Sequence, residues 1–439
     1  MTDQLPRRDF LTRLAATSFA AGFAPPLAAS ALPSLGGLMG AATGDAFTLP
    51  PSDDDEAVFA AARKRFLFPT SVTYCNTGTL GAIPKDVMDV VVQGLQQLER
   101  ELPDWPYFQA DGEPLTGYQQ LAEYRAEAGA FINAPVEEVA FTQNATMGMS
   151  FLANGCDLAA GDEVLTTDQE HSGGIGGFRL RAKRHGVVVK ELPLASALDA
   201  GPDGIVKLFA DAVTPRTKVI MFSHITSGRG VVMPAKALCD LAHQHGALAL
   251  VDGAQAVGQV RVDVKALDCD AYAASPHKWL LAPKGTGILY IKRAVQPRLW
   301  NTLASGEIDD STKGAFRFMQ YGTGSPAVIW GLRAALKFAN TLGIDRIARW
   351  DAMLTKRLRD GLATMPHVKV VSPADPRLAA GITTFGIRGK NGRELQDALW
   401  TRKIRVRSQG DPGVRLSAHY YVSPADIDRV LEVVSAMKA

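Results

Sequence analysis

The sequence predicts an α/β fold with a mainly parallel sheet, followed by a smaller C-terminal α/β domain. Between about residues 85 and 325, short β-rich runs alternate with segments of helical periodicity, which is typical of a sheet covered by helices on both faces. From about Pro326 the pattern changes to a long amphipathic helix, short strands and a closing helix. A chain of 439 residues is also too long for one ordinary domain, because single cores stop growing at about 250–300 residues.

The N-terminal residues have the features of an export signal. The run Arg7-Arg8-Asp9-Phe10-Leu11 precedes an apolar stretch and the sequence Ala29-Ser30-Ala31, which is typical of a twin-arginine signal with an A-x-A cleavage site. We therefore expect residues 1–31 to be a signal peptide and the protein to be exported or periplasmic. The apolar stretch is shorter than the ~20 residues of a membrane span, so membrane contact is expected only during export. The alternative is the basic start of a cytosolic or general-secretory protein.

The remaining chain divides into four predicted parts. Residues 32–55 are rich in Gly, Ala, Pro and Asp and are interpreted as a linker. An N-terminal segment covers 56–84, the large domain 85–325 and the small domain 326–439.

Elements follow from periodicity and from helix start and stop residues. The predicted helices are Val87–Leu102, Gly117–Phe131, one that begins near Ala145, Pro234–Gly246 and Pro424–Met437. The predicted strands are Val139–Thr142, Glu163–Thr167, Val187–Leu192, Val219–His224, Ala247–Val251, Ile288–Ile291, Val368–Val371, Ile382–Gly386 and Arg405–Arg407.

Composition excludes several classes of function. The formal net charge is only +2, which gives no electrostatic signature of nucleic-acid binding. The four cysteines are widely scattered with no C-x-x-C spacing, which argues against a zinc ribbon and a disulfide-stapled fold. We predict no metal site, and the substrate has to be inferred from a site and not from bulk charge.

Two residues carry the chemistry. Asp252 directly follows the predicted strand Ala247–Val251, and a buried carboxylate there is costly unless a cation satisfies it. A protonated pyridine nitrogen is such a cation; the alternative for Asp252 alone is a helix cap or turn residue. Lys278 is flanked by Pro, Trp and Leu residues, and burial lowers the pKa of an amine, so that it can attack an aldehyde. The pair predicts a pyridoxal 5′-phosphate (PLP) enzyme.

Other residues are suited to hold the phosphate and the ring. Ala145 and Thr146 begin a predicted helix, whose free N–H groups and the Thr146 hydroxyl suit an anion, although Thr also caps helices without a ligand. Ser275 and His277, next to the lysine, could bind the same phosphate. His171 follows the predicted strand Glu163–Thr167 and could stack on a flat ring, although a lone histidine is often structural.

Arg415 lies inside the apolar run Gly413–Ser417. A guanidinium in that position suits the bidentate capture of a carboxylate. The alternative is a structural salt bridge.

Taken together, the motifs resemble the class V aminotransferase group of fold-type I PLP-dependent transferases. In chain order they are Asn-Ala-Thr (144–146), Asp-x-Glu-His (168–171), Ser-His-Ile-Thr-Ser (223–227), Val-Asp-Gly-Ala-Gln (251–255), Ser-x-His-Lys (275–278), Gly-Thr-Gly (285–287) and Val-Arg-Leu-Ser (414–417). The resemblance covers roughly residues 70–435 and is greatest to the isopenicillin N epimerase-like branch.

The resemblance implies a role for each of the matching residues. Lys278 would be the Schiff-base lysine and Asp252 the partner of the pyridine nitrogen. Ala145, Thr146, Ser275 and His277 would bind the phosphate, His171 would stack on the ring, Gln255 would contact the ring O3′, and Arg415 would hold the substrate carboxylate. Thr323 would reach the phosphate of a neighbouring subunit, which implies a homodimer. Ser227 stands where many relatives have Asn near the cofactor.

The implied function is the conversion of an amino acid or peptide-like amine through an external aldimine, by transamination or epimerisation. With its export signal the chain also resembles periplasmic PLP enzymes that tailor the pyoverdine siderophore, so a secreted metabolite is the expected substrate. One alternative is a cysteine desulfurase or other C–S lyase, but the loop 407–413 before Arg415 lacks the nucleophilic cysteine of the desulfurases. The other is a non-catalytic PLP-fold binding module.

Overall fold

A computed structural model describes residues 47–101, 121–303, 310–411 and 413–437. The predicted signal peptide and residues 32–46 of the predicted linker lie outside these ranges. None of the helices in the described ranges is both long and apolar enough to cross a membrane.

The strands form one large sheet and two smaller ones. In chain order they are β1 (Thr73–Tyr74), β2 (Val139–Thr142), β3 (Glu163–Thr167), β4 (Val188–Leu192), β5 (Thr217–Ser223), β6 (Leu248–Asp252), β7 (Ala271–Ala274), β8 (Gly287–Ile291), β9 (Val368–Val370), β10 (Ile382–Ile387), β11 (Ile404–Arg405), β12 (Arg407–Ser408) and β13 (Val414–Ser417). The seven-stranded sheet has the order β2-β8-β7-β6-β5-β3-β4. Within it β8 runs antiparallel to both of its neighbours, and the other strands are parallel. The expected α/β fold with a mostly parallel sheet is confirmed.

Helices connect these strands. They are α1 (Asp55–Arg63), α2 (Lys85–Glu101), α3 (Ala122–Phe131), α4 (Ala145–Gly155), α5 (Ser172–His185), α6 (Gly201–Ala210), α7 (Ala235–Gln244), α8 (Val264–Leu267), α9 (Pro326–Leu342), α10 (Ile344–Ala363), α11 (Gly392–Thr401) and α12 (Pro424–Ser435). Strands β2, β3, β6, β7 and β8 are buried along their length, and β5 is buried except at Lys218, as expected of strands covered on both faces.

The C-terminal residues form an antiparallel sheet of their own, in the order β12-β13-β10-β9. Helices α11 and α12 both begin with capping boxes, at Asn391 and Ser423, which satisfy the first free N–H groups of each helix. Strand β1, from the N-terminal segment, pairs in parallel with β11. The domain boundaries proposed from the sequence remain predictions.

Several elements differ from the sequence predictions. The long helix predicted from about Pro326 is present as α9, but Gly343 at φ 84° ends it, and the second helix α10, which was not predicted, begins at the next residue. The predicted strand Arg405–Arg407 is two short strands, β11 and β12, in different sheets. Helices α1 and α11 and strand β7 were not predicted. Strand β7 has the sequence Ala-Tyr-Ala-Ala, whose alanines have little β propensity.

Candidate active site

The loops after five parallel strands meet around one cavity, at the edge of the sheet where ligands bind in α/β folds. The cavity has a volume of about 290 Å³. The residues that line it are Gly78, Thr79, Asn144, Ala145, Thr146, His171, Ser227, Asp252, Ala254, Gln255, Ser275, His277, Lys278, Arg407, Gln409 and Arg415. Every predicted site residue except Thr323 is therefore brought to this cavity.

Asp252 is the last residue of β6, and its carboxylate is buried. Oδ1 accepts a hydrogen bond from the Ala254 N–H at 2.9 Å, whereas Oδ2 accepts none from the described residues. Burial raises the pKa of Asp252, and the charge of Lys278 opposes that shift. The carboxylate would therefore be stabilised by a cationic donor that enters the cavity, as a pyridinium does.

Helix α5 passes close to Thr146 at its second residue and close to Asp252 at its third, and both residues are glycines. A Cβ atom on Gly174 would lie 2.5 Å from Asp252 Oδ2, and one on Gly173 would lie 2.3 Å from Thr146 Oγ1. These glycines were noted in the sequence as permitting a close backbone approach, and the structure shows what they approach.

Lys278 follows β7 in the loop 275–278 and is half-buried in the cavity wall. Burial lowers the pKa of its amine to about 8, while Asp252 raises it and Arg415 and Arg407 lower it further. A larger fraction of this lysine is thus uncharged near neutral pH than of a lysine in water, which is what a nucleophilic amine or a proton acceptor requires.

The first turn of α4 forms the expected anion site, with one difference. Asn144 caps the helix by accepting a hydrogen bond from Met147 N–H at 2.9 Å. The Ala145 N–H is not free as expected, because it donates to Ser275 Oγ at 3.0 Å. The N–H of Thr146 has no partner among the described residues, and its side chain is exposed to the cavity. Thr146 and Ser275 therefore present the available donors.

His277 adds a neutral group to this anion site. Burial, followed by the charge of Lys278, lowers its pKa to about 4, so the imidazole is uncharged at neutral pH. Its Nδ1 is buried and has no hydrogen-bond partner in the part of the chain that the structure describes. In the tautomer that carries its proton on Nδ1, this nitrogen could donate to a phosphate oxygen.

His171 lies across the cavity at the start of α5. Its Nδ1 accepts a hydrogen bond from Gly173 N–H at 3.0 Å, so in the neutral ring Nε2 carries the proton. Burial and the charge of Lys278 lower the pKa of His171. The helix cap fixes the position of the ring, and the exposed imidazole is left to contact a ligand.

Arg415 lies on β13 and is buried. Its Nη1 donates to the Ser227 carbonyl at 3.0 Å and its Nη2 to Thr79 Oγ1 at 2.5 Å, while Nε has no partner among the described residues. Burial lowers its pKa to about 10. No carboxylate of the described ranges pairs with it, so the alternative of a structural salt bridge does not hold.

Arg407 was not predicted as a site residue. It lies opposite Arg415 in the β12–β13 pair, and its Nη1 donates to Thr79 Oγ1 at 3.3 Å. Thr79 therefore accepts from both guanidinium groups while its own hydroxyl donates to Asn76 Oδ1 at 2.7 Å. The sequence carried only a weak signal for Arg407, since its partners come from distant segments.

Two predicted residues have a limited part in the cavity. Ser227 lines it, but the contact that the structure records is through its carbonyl to Arg415. Thr323 is exposed and does not line the cavity. Its role toward a neighbouring subunit stays a prediction.

The lining residues fit PLP. The unpartnered Nδ1 of His277 and the donors of Thr146 lie at a helix N-terminus suited to a phosphate. Asp252 Oδ2 accepts no described hydrogen bond and suits a protonated ring nitrogen, and Lys278 suits the aldehyde carbon. When bound, PLP acts as an electron sink that stabilises negative charge at a substrate carbon.

Comparisons with known proteins agree with this geometry. A model of the aminotransferase class V family matches residues 115–430. Isopenicillin N epimerase of Amycolatopsis lactamdurans is 30% identical over 406 residues, covering 86% of this chain and 98% of that protein. A cysteine desulfurase of Escherichia coli O127:H6 is 33% identical over 319 residues, covering 69% of this chain and 76% of that protein. The solved complex of the cystine C–S lyase C-DES with cysteine persulfide has a TM-score of 0.76 at 25% identity, covering 84% of this chain and 99% of that one.

These matches extend over most of the chain and include the segments that build the cavity. A second C-DES structure, in which glycine is covalently linked to the PLP cofactor, has a TM-score of 0.76 at 26% identity and covers 86% of this chain and 99% of that one. The chain belongs to the aminotransferase class V family of fold-type I PLP-dependent enzymes, in the branch that resembles isopenicillin N epimerase.

Proposed function

We propose that this enzyme moves a proton at the α-carbon of an amino acid or peptide-like amine, leading to transamination or epimerisation. The observation that carries the proposal is that Lys278 and Arg415 line the same cavity. The amine of Lys278 has a lowered pKa, and the guanidinium of Arg415 pairs with no carboxylate of the described residues. The first can exchange a proton with a substrate carbon, and the second can hold the substrate by its carboxylate.

Each residue has a role in that reaction. Arg415 orients the substrate carboxylate, and Arg407 adds positive charge at the cavity. Asp252 would keep the ring nitrogen of bound PLP protonated, and His171 would cover the ring. Lys278 would be the base that takes the α-proton on its own side of the substrate. Protonation of the α-carbon from the opposite face by a second acid would give epimerisation, and protonation of the cofactor carbon would give transamination.

Persulfide chemistry is the weaker candidate, although cysteine desulfurases are among the relatives. It requires a thiolate nucleophile near the substrate. Cys75, Cys156, Cys239 and Cys269 are all buried, and none of them lines the cavity. Burial raises the pKa of Cys156 and of Cys239 to about 12, so these thiols are uncharged at neutral pH.

The proposed substrate is a secreted metabolite, with a siderophore as one example, and the proposed location is the periplasm. The twin-arginine sequence of residues 1–31 supports export. A homodimer is proposed as well, supported by the exposed Thr323 in the turn 321–323 that the resemblance assigns to a subunit interface.

The first experiment tests Lys278. The purified enzyme should show an absorbance band near ~410–430 nm that borohydride abolishes, and digestion should place the reduced pyridoxyl group on Lys278. In Lys278→Ala no pyridoxyl group should remain attached to the protein after reduction, because no other amine among the lining residues can bond to the aldehyde. Lys284→Ala is the control, since the pKa of this nearby lysine is also lowered but its side chain does not line the cavity.

The second arm tests the reaction. Wild-type enzyme in D₂O with L-alanine, L-glutamate or L-cysteine should exchange the α-proton for deuterium, as followed by NMR. Formation of the D-amino acid identifies epimerisation, and formation of a keto acid identifies transamination. Sulfide release from cysteine without either product would contradict the proposal and favour a C–S lyase. A reduced pyridoxyl group attached to another residue of Lys278→Ala would show that the lysine is wrongly assigned.

A further inference from the structure

A chain of hydrogen bonds runs through the protein interior from helix α10 to the cavity. Its side chains are Asp351, His419, Trp279 and Gln255. All four are at most 4% exposed, and they come from α10, the segment after β13, the loop after β7 and the loop after β6. Only Gln255 lines the cavity. The proposed reaction assigns no role to the other three.

The orientation of the Gln255 amide follows from its two partners. Trp279 Nε1, which can only donate, lies 2.8 Å from Gln255 Oε1. The Gly78 carbonyl, which can only accept, lies 2.9 Å from Gln255 Nε2. Rotating the amide by half a turn would set donor against donor and acceptor against acceptor. Nε2 carries two hydrogens, and the described residues accept only one of them, while Gln255 lines the cavity.

The position of Trp279 is fixed in turn by His419. His419 Nε2 lies 2.7 Å from the Trp279 carbonyl and must donate to it, because a carbonyl can only accept. The two rings meet edge to face, with centroids 5.1 Å apart and an interplanar angle of 82°. Gly381 leaves room for the indole, since a Cβ atom there would lie 2.9 Å from two of its ring atoms.

Asp351 completes the chain. Its Oδ2 lies 2.7 Å from His419 Nδ1, and with Nε2 already donating, this short contact requires a proton between the two groups. The pair is thus either an imidazolium and a carboxylate or a neutral imidazole and a carboxylic acid. In both states the ring is held at its two nitrogens, so it has no freedom to turn away from Trp279.

We propose that Asp351, His419 and Trp279 are positioning residues, which hold Gln255 so that its amide donates a hydrogen bond to the ring oxygen of the cofactor. This inference rests on the proposed function only in placing PLP in the cavity. It assigns a specific task to Trp279, whose indole favours, together with the Gly78 carbonyl, one of the two amide orientations. Through Asp351 it also links that orientation to helix α10 in the C-terminal part of the chain.

The test compares two tryptophans by replacing each with phenylalanine. Trp279→Phe removes the donor to Gln255, whereas Trp330→Phe removes an equally buried indole N–H that has no partner among the described residues. Trp279→Phe should weaken PLP binding by about two- to tenfold, the value of one hydrogen bond, and should move the visible maximum of the bound cofactor. Trp330→Phe should do neither. Titration of the cofactor-free protein with PLP gives both quantities without turnover.

Two variants of Asp351 test the other end of the hydrogen-bond chain. They also keep the proposal testable if Trp279→Phe does not fold. In Asp351→Asn the side-chain amide can donate to Nδ1 of a neutral His419, so the chain and the cofactor spectrum should be retained. In Asp351→Ala that partner is lost, and the spectrum and affinity should change in the direction of Trp279→Phe. Equal spectra for Asp351→Ala and Asp351→Asn, or for Trp279→Phe and Trp330→Phe, would overturn the proposal. Loss of turnover with an unchanged spectrum would also overturn it, without bearing on the assignment of Lys278.

Discussion

At the scale of single residues, the buried Arg415 and the half-buried Arg359 illustrate a binding role and a structural one. Burial lowers the pKa of both Arg415 and Arg359 to about 10. Arg359 donates from Nε, Nη1 and Nη2 to Thr383 Oγ1 and the carbonyls of Pro373 and Ile382, at 3.1, 2.9 and 2.8 Å. Arg415 keeps a buried Nε without a described partner. The guanidinium of Arg415 is therefore the one with donors left for a ligand.

The corresponding lysine variants should differ in which property they lose. Arg415→Lys replaces a planar fork by a point charge, so KM for a carboxylate substrate should rise by roughly 10- to 100-fold, the range for hydrogen bonds to charged groups. Arg359→Lys should lower the melting temperature and leave KM near the wild-type value. Steady-state kinetics and thermal unfolding of both variants check this. A KM that is unchanged in Arg415→Lys would remove the carboxylate-binding role.

Residues such as Arg415 were predictable because a charged side chain in an apolar run is conspicuous in one segment. Asp252 and Lys278 were predictable for the same reason. Arg407 and the hydrogen bond from Trp279 to Gln255 were not, because their significance comes from partners far away in the chain. Arg407, for instance, meets Thr79 across 328 positions of sequence.

At the scale of elements, the sequence of α5 reflects close contacts that leave no room for larger side chains. Its first turn lies against Asp252, and the sequence Ser-Gly-Gly-Ile-Gly-Gly would be a poor helix by propensity. Its glycines differ in how much space surrounds them. A Cβ atom on Gly174 would lie 2.5 Å from Asp252 Oδ2, whereas one on Gly176 would meet nothing within 4 Å.

Alanine at these two positions should therefore have opposite effects. Gly176→Ala should stabilise the protein by about 0.5–1 kcal/mol, the helix-propensity difference. Gly174→Ala should displace Asp252 or the helix and weaken PLP binding by at least about tenfold, an estimate from the loss of one charge-assisted contact. Thermal unfolding and PLP titration of the two variants measure both effects. Equal PLP affinities would mean that the close approach of α5 is not needed for binding.

Helices and strands were predicted correctly where the local sequence pattern determines them, and were missed where a tertiary contact determines them. Strands β2 and β3 were predicted with the bounds that the structure shows, since each is a short apolar run between breakers. Strand β7 was missed because its small residues are selected by packing; Ala273, for example, lies 2.9 Å from where a Cβ on Gly148 would be. The break between α9 and α10 was missed because one glycine in a long amphipathic pattern is ambiguous.

At the scale of the whole molecule, the sheet order could not be obtained from the sequence alone. Chain order gives β2, β3 and β4 in succession, yet β8 and β7 lie between β2 and β6 in the sheet. The cavity nevertheless could be predicted, because all parallel strands deliver their carboxyl ends to one edge whatever their order. The C-terminal segment was assigned to the site through Arg415, a charged residue in an apolar run that the motif resemblance also includes.

At this scale, the largest predicted effect is that the cofactor-free enzyme becomes more stable to unfolding as the pH rises. Lys278 has a pKa of about 8 in the fold and an ordinary value of 10.5, so between these values the unfolded chain binds more protons, and the free energy of unfolding rises with pH. Lys278→Met, which buries no charge, should be more stable than wild type at pH 7.5, by on the order of 1–3 kcal/mol. The gap should close toward pH 10. Denaturant unfolding of both proteins without PLP measures it, and other titrating groups cancel in the difference. A gap that stays constant from pH 7.5 to pH 10 would mean that the Lys278 amine is not charged and buried in the free enzyme.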